Sequence, residues 1–92
     1  MFLKDFTSTV HQLAQETQFE DDVVKMQNLC FQMSTYVRQH RILLNITVPR
    51  TKSERIDLLL AKIHNCIILQ HEAEARMAAG ELKAYVLELF GR

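Results

Sequence analysis

One proline and two glycines in 92 residues constrain this chain more than any other feature. Turns and strand connections need those residues repeatedly, whereas helix interiors reject them, so a chain so poor in both is a helical chain. Pro49 stands alone in the middle, with Gly80 and Gly91 toward the C-terminus. Neither residue type occurs between Thr17 and Ile46. Thr17 with Glu20 has the form of a capping box, in which each side chain satisfies a backbone amide at a helix start. Thr51 and Glu54, just after Pro49, repeat that form, and Gly80 is placed to act as a left-handed C-terminal cap. The expectation is an all-α single domain spanning residues 1–92, built on a long antiparallel hairpin of helices at about 18–46 and 52–79. Short N- and C-terminal helices complete it.

Apolar periodicity supports the pairing of the two helices. Phe19, Val23, Met26, Cys30, Met33, Val37 and Leu44 alternate in steps of four and three, a coiled-coil spacing broken only by His40. Ile56, Leu59, Ile63, Cys66, Ala73 and Met77 follow the same spacing, with Gln70 the polar exception. Folding the chain back at residues 47–50 sets Val37 opposite Leu59, Met33 opposite Ile63 and Cys30 opposite Cys66. Farther from the loop it sets Val23 opposite Ala73 and Phe19 opposite Met77. Caps, turn and periodicity agree on one structure. Two amphipathic flanks remain: Phe2, Phe6, Val10 and Leu13 before the hairpin, and Leu82, Tyr85, Val86 and Leu89 after it.

A hairpin buries one stripe per helix, yet Leu29, Tyr36 and Leu43 form a second row on the first helix, as do Leu60 and Ile67 on the second. Apolar rows of that size require cover. The flanking helices could close a three- or four-helix bundle, or the rows could be shared with a second copy or with a partner chain. Met26, Phe31, Met33 and Tyr36 lie close together on one helix, and flexible Met beside aromatics suits a groove that accepts another helix. The candidate partner-binding residues are therefore Leu29, Met33, Tyr36, Leu43, Leu60 and Ile67, joined by Phe2, Phe6, Tyr85 and Leu89 of the flanks.

Composition narrows the functional classes. Eleven basic and eleven acidic residues give zero formal net charge, so no large field is available to hold nucleic acid or an anionic membrane. Uninterrupted apolar runs, such as Leu58 to Ala61, stop far short of the roughly 20 residues a membrane span needs. No secretory signal is recognisable at Met1-Phe2-Leu3-Lys4-Asp5. Cys30 and Cys66 read as reduced thiols of a cytoplasmic protein.

Catalytic and metal chemistry find little footing. His64 and His71 lie two helical turns apart, and His71-Glu72 begins a zinc-protease pattern that meets Ala75 where its second His belongs. No cofactor and no metal are expected. The stretch Arg55-Ile56-Asp57 with Leu58-Leu59-Leu60 loosely resembles the opening pattern of the small helical chorismate mutases. Here the Arg sits directly beside the Ile, and the pattern starts in the second long helix, so no catalytic role is carried over. Arg38, Arg41, Arg50, Lys52 and Arg55 gather near the loop as a candidate anionic contact, facing away from acidic Glu20, Asp21 and Asp22. The functional expectation is a non-enzymatic protein-binding module: a small chaperone, adaptor or regulator that engages a helical client. A structural homodimer forming a four-helix bundle is the alternative, and a small helical enzyme using the basic tip ranks below both.

Overall fold

A computed structural model describes residues 2–90, with the Phe90 side chain left aside. Its helices are α1 (Phe2–Phe19), α2 (Val23–Gln39), α3 (Arg41–Thr47), α4 (Arg50–Ile68) and α5 (Glu72–Phe90). The all-α expectation holds. The terminal segments, expected to be short, are full-length helices of 18 and 19 residues. Each long helix packs on two neighbours: α1 on α5 and α2, α4 on α5 and α2. Short connections reverse the chain between successive long helices, so all four neighbours run antiparallel, as in an up-and-down bundle. The body measures 35 × 19 × 18 Å.

The turn expected around Pro49 is present. Val48 is extended, and the Pro49 carbonyl accepts from the amides of Lys52 and Ser53 at 3.0 and 3.2 Å, starting α4. The other expected boundaries move, each for a local reason. Thr17 does not cap a helix. It lies fully buried inside α1, where its hydroxyl donates to the Leu13 carbonyl at 2.8 Å, satisfying itself within the preceding turn. The cap of α2 is Asp22, which accepts from the Val24 amide at 2.8 Å.

Each of the two expected long helices breaks where a polar residue interrupts its apolar stripe. The first is divided at His40, the boundary between α2 and α3, whose Nδ1 lies 2.8 Å from the Tyr36 carbonyl oxygen. Its ring stacks over Phe2 at 5.8 Å between centroids. The second ends at Ile68. There Gln70 takes φ 62°, the His71 amide donates to the Cys66 carbonyl at 2.8 Å, and the Gln70 amide donates to the Ile67 carbonyl at 3.1 Å. Those two bonds form a Schellman C-cap with glutamine in the left-handed position that glycine usually fills. Gly80, expected to be that cap, sits inside α5 instead. A Cβ added there would meet the end of the Gln18 side chain of α1, Nε2 at 3.0 Å. Small buried residues, Ala14 on α1 and Ala75, Ala78 and Ala79 on α5, let these backbones come together.

The inner seam positions, Val37, Leu59, Met33, Ile63, Cys30 and Cys66, are all buried in one core. The outer ones are not. Phe19 and Met77 are 71% and 68% exposed, because the chain has already turned into α5 before it could face Phe19 from a continued α4. The terminal helices supply the missing cover: fully buried Phe6 and Val10 of α1 join Leu82 and Val86 of α5 in one core with Met26, Met33, Ile56 and Ile63.

Candidate functional site

Of the four contacts between neighbouring long helices, α2 with α4 is the thinnest. Phe31 of α2 and Ile68 of α4 lie exposed beside that seam, whereas Phe6, Val10 and Ala14 of α1 and Leu82 and Val86 of α5 are fully buried in the core. A groove of about 680 Å³ opens along the seam. Cys30 and Val37 of α2 face Leu60 and Ile67 of α4 across its floor, all four buried. Phe31 and Ile68 flank the groove, 69% and 60% exposed.

One end of the groove is charged. Arg41, the first residue of α3, reaches Asp57 of α4 at 2.5 Å and donates to the Ser53 hydroxyl at 2.7 Å. Ser53 in turn donates to the Asn45 side-chain oxygen at 3.2 Å. The chain of bonds ties α3 to α4 and fixes the floor at that end. Arg38, one turn earlier on α2, also lines the groove and is exposed, and among the described residues it makes no ion pair. The far end is neutral, lined by Gln27, Asn28, Ile67 and Ile68.

Cys30 is the one thiol lining the groove among the described residues. Burial pushes its thiol up from the ordinary range, against a smaller opposite effect of the hydrogen bond with Ser34. A thiol so held stays protonated at neutral pH and is a poor nucleophile. Cys66 is likewise free and buried. No group of three His, Cys, Asp or Glu side chains gathers at metal-binding distance among the described residues.

The residues expected to bind a partner fall into four groups. Leu60 and Ile67 line the groove. Met33 and Phe6 are wholly buried in the core and present no surface, because α1 has closed over that side of α2. Tyr36 is half-buried under the same helix, its ring 5.7 Å from that of Phe6, and Phe2, Tyr85 and Leu89 are half-buried against the core. Leu29 borders a small hollow with Glu16, Phe19 and Gln32, while Leu43 is 47% exposed on α3 beside the more exposed Ile42 and Ile46. The basic residues differ in what holds them. Arg41 is engaged with Asp57 and Arg50 with Glu54 at 3.1 Å, leaving Arg38, Lys52 and Arg55 exposed. Ala61, His64 and Ile68, which line the groove, are not among the residues expected to bind a partner: each stands one residue after an apolar stripe position, and a helical period assigns such residues to solvent.

The chain matches no protein-family model, and no curated protein or solved structure is found similar to it. Among the described residues, no helix is long and apolar enough to cross a membrane.

Proposed function

We propose that this chain is a non-enzymatic protein-binding module, a small chaperone, adaptor or regulator, that receives a helical segment of another protein in the groove between α2 and α4. The observation that carries this reading is the open seam, with a buried apolar floor and large exposed side chains at its edge. Phe31 and Ile68 exceed half exposure at a place where a helix laid in the groove would cover both. The helical walls also favour a helical client, since their backbone amides and carbonyls are already bonded and offer an extended segment no main-chain partners. Small secretion chaperones have helical hairpins of this general size, which is an analogy of architecture alone. Two free buried thiols suit work in the reducing cytoplasm.

The reading is tested by selecting helical peptides against the protein from a displayed library and titrating them into isotope-labelled protein. Selected peptides should shift the amide signals of Phe31, Ala61 and Ile68, and Phe31→Ser with Ile68→Ser should abolish binding while the circular dichroism spectrum is unchanged. Peptides that map to another face, or that bind the double variant equally well, overturn it.

Self-assembly is a second reading, favoured by one observation. Ile42 and Ile46 of α3 are 77% and 74% exposed, next to partly exposed Leu43, which makes an apolar face on a seven-residue helix. Sedimentation of wild-type protein beside Ile42→Ser with Ile46→Ser separates the readings: a dimer lost in the variant supports self-assembly, and a monomer in both removes it.

A further inference from the structure

We infer that the helix received by the groove is acidic at one end, with a carboxylate side chain lying over Arg38. The inference rests on the groove being the partner site and adds the partner's chemistry. Two cations and one carboxylate line the α3 end, and the carboxylate, Asp57, is spent on Arg41. Arg41 is held further by Ser53, so the cation left to meet a ligand is Arg38. The opposite end offers only amide side chains and aliphatic groups, Gln27, Asn28, Ile67 and Ile68. A ligand helix therefore meets positive charge at one end and none at the other. The polarity of the groove selects both the sign of the ligand's charge and its direction.

The groove runs from Gln27 to Arg41 along α2 and α3. At about 1.5 Å per residue that is about 21 Å, four turns of a ligand helix. Its apolar residues would recur at i, i+4, i+7 and i+11 to meet the floor of Cys30, Val37, Leu60 and Ile67, and its acidic side chains would fall in the single terminal turn beyond them. The zero net charge of the chain does not oppose this, because over the few ångströms of a contact the local unpaired cation governs, not the sum over the molecule.

Two synthetic peptides test the inference, with identical leucines at that spacing and either Glu or Lys in one terminal turn. A third carries the Glu sequence with a central proline that prevents a helix. Affinities are read from titration of the labelled full chain at low salt and in 1 M salt. The Glu peptide should bind about threefold to fivefold more tightly than the Lys peptide at low salt, the range of an exposed ion pair. High salt should remove the difference, and Arg38→Glu should reverse it. Equal binding of the Glu and Lys peptides to the groove overturns the acidic preference while leaving the groove as the partner site. Equal binding of the proline peptide overturns the helical ligand. Failure of all three to shift Phe31, Ala61 and Ile68 overturns the groove reading and this inference with it.

Discussion

The backbone amide of His71 donates to the carbonyl of Cys66 at 2.8 Å, and that bond closes a helix cap around Gln70, which is held at φ 62°. A side chain with a Cβ is strained there, by about 1 to 2 kcal/mol relative to right-handed backbone, and glycine is not. Gln70→Gly should therefore stabilise the protein by about 1 kcal/mol, after the greater unfolded-state freedom of glycine is subtracted. On a domain of this size that raises the melting temperature by about 4 to 8 °C. Gln70→Val should lower it. Paired thermal melts check both signs, and a destabilised glycine variant would mean that the glutamine side chain contributes more than its backbone costs.

The same residue shows how much of the fold could be read from the chain. Helical content, the turn at Pro49 and the buried inner seam positions were legible because each rests on a strong local signal: scarce breakers, a proline, an apolar period. His40 and Gln70 were visible too, as the two polar gaps in the stripes, but a polar residue in a stripe reads equally well as a tolerated exception. What turns each gap into a boundary is tertiary. His40 is held by Phe2 and by the Tyr36 carbonyl, and α5 packs along α1 only if the chain reverses at Gln70. Gly80 misled in the opposite sense, since a glycine inside a helix, beside the end of the Gln18 side chain, has the same letter as one demanded by a cap. The groove was the least legible part. Leu60 and Ile67 were marked, but its edge is formed by residues adjacent to the stripe, whose exposure depends on how far apart two helices stand.

Arg76 of α5 locks the first reversal of the chain. Its Nε donates to the Glu20 carbonyl at 2.9 Å, and a terminal nitrogen reaches the Asp21 carbonyl at 3.5 Å. Glu20 turns its own carboxylate back on the amides of Asp21 and Asp22 at 3.1 Å each, so both polar faces of the loop are satisfied. Arg76→Ala should cost about 1 to 2 kcal/mol, the usual worth of a partly exposed hydrogen bond from a charged donor. Arg76→Lys should recover only part of that, because a single ammonium cannot bond both carbonyls in the geometry of a guanidinium. Urea melts give the energies. Hydrogen exchange should quicken first at the start of α2, and a change spread evenly over the bundle would refute a local role.

Burial of Cys30 makes stability depend on pH at the alkaline end. The folded state holds the thiol's proton more tightly than the unfolded chain does, because burial disfavours the thiolate. Below the unfolded thiol's pKa, about 8.5, both states keep the proton and the stabilisation is complete. As pH rises through the higher folded pKa, the unfolded state gains by releasing its proton first, and stability falls. Urea melts of the reduced protein at pH 7 and pH 10 should show a larger alkaline loss for wild type than for Cys30→Ala. Equal losses would place the alkaline sensitivity in other groups.

Phe31 and Met33 are two positions apart on α2 and separate folding from recognition. Met33 is fully buried, packed in the core beneath α1, whereas Phe31 is 69% exposed at the edge of the groove. Met33→Ala removes core contacts and leaves a cavity, at a cost of about 2 to 5 kcal/mol. Phe31→Ala touches no enclosed packing, and its effect should lie within about 0.5 kcal/mol. Binding of a groove-directed helical peptide should respond in the other order: a loss for Phe31→Ala, and for Met33→Ala no loss beyond its unfolded fraction under conditions where most of the protein stays folded. Such a pair is informative because an aromatic ring kept in water contributes little to the stability of its own chain and a good deal to that of a complex that covers it. If Phe31→Ala instead destabilises the protein as much as Met33→Ala does, the ring is core, and the groove loses the edge on which its assignment depends.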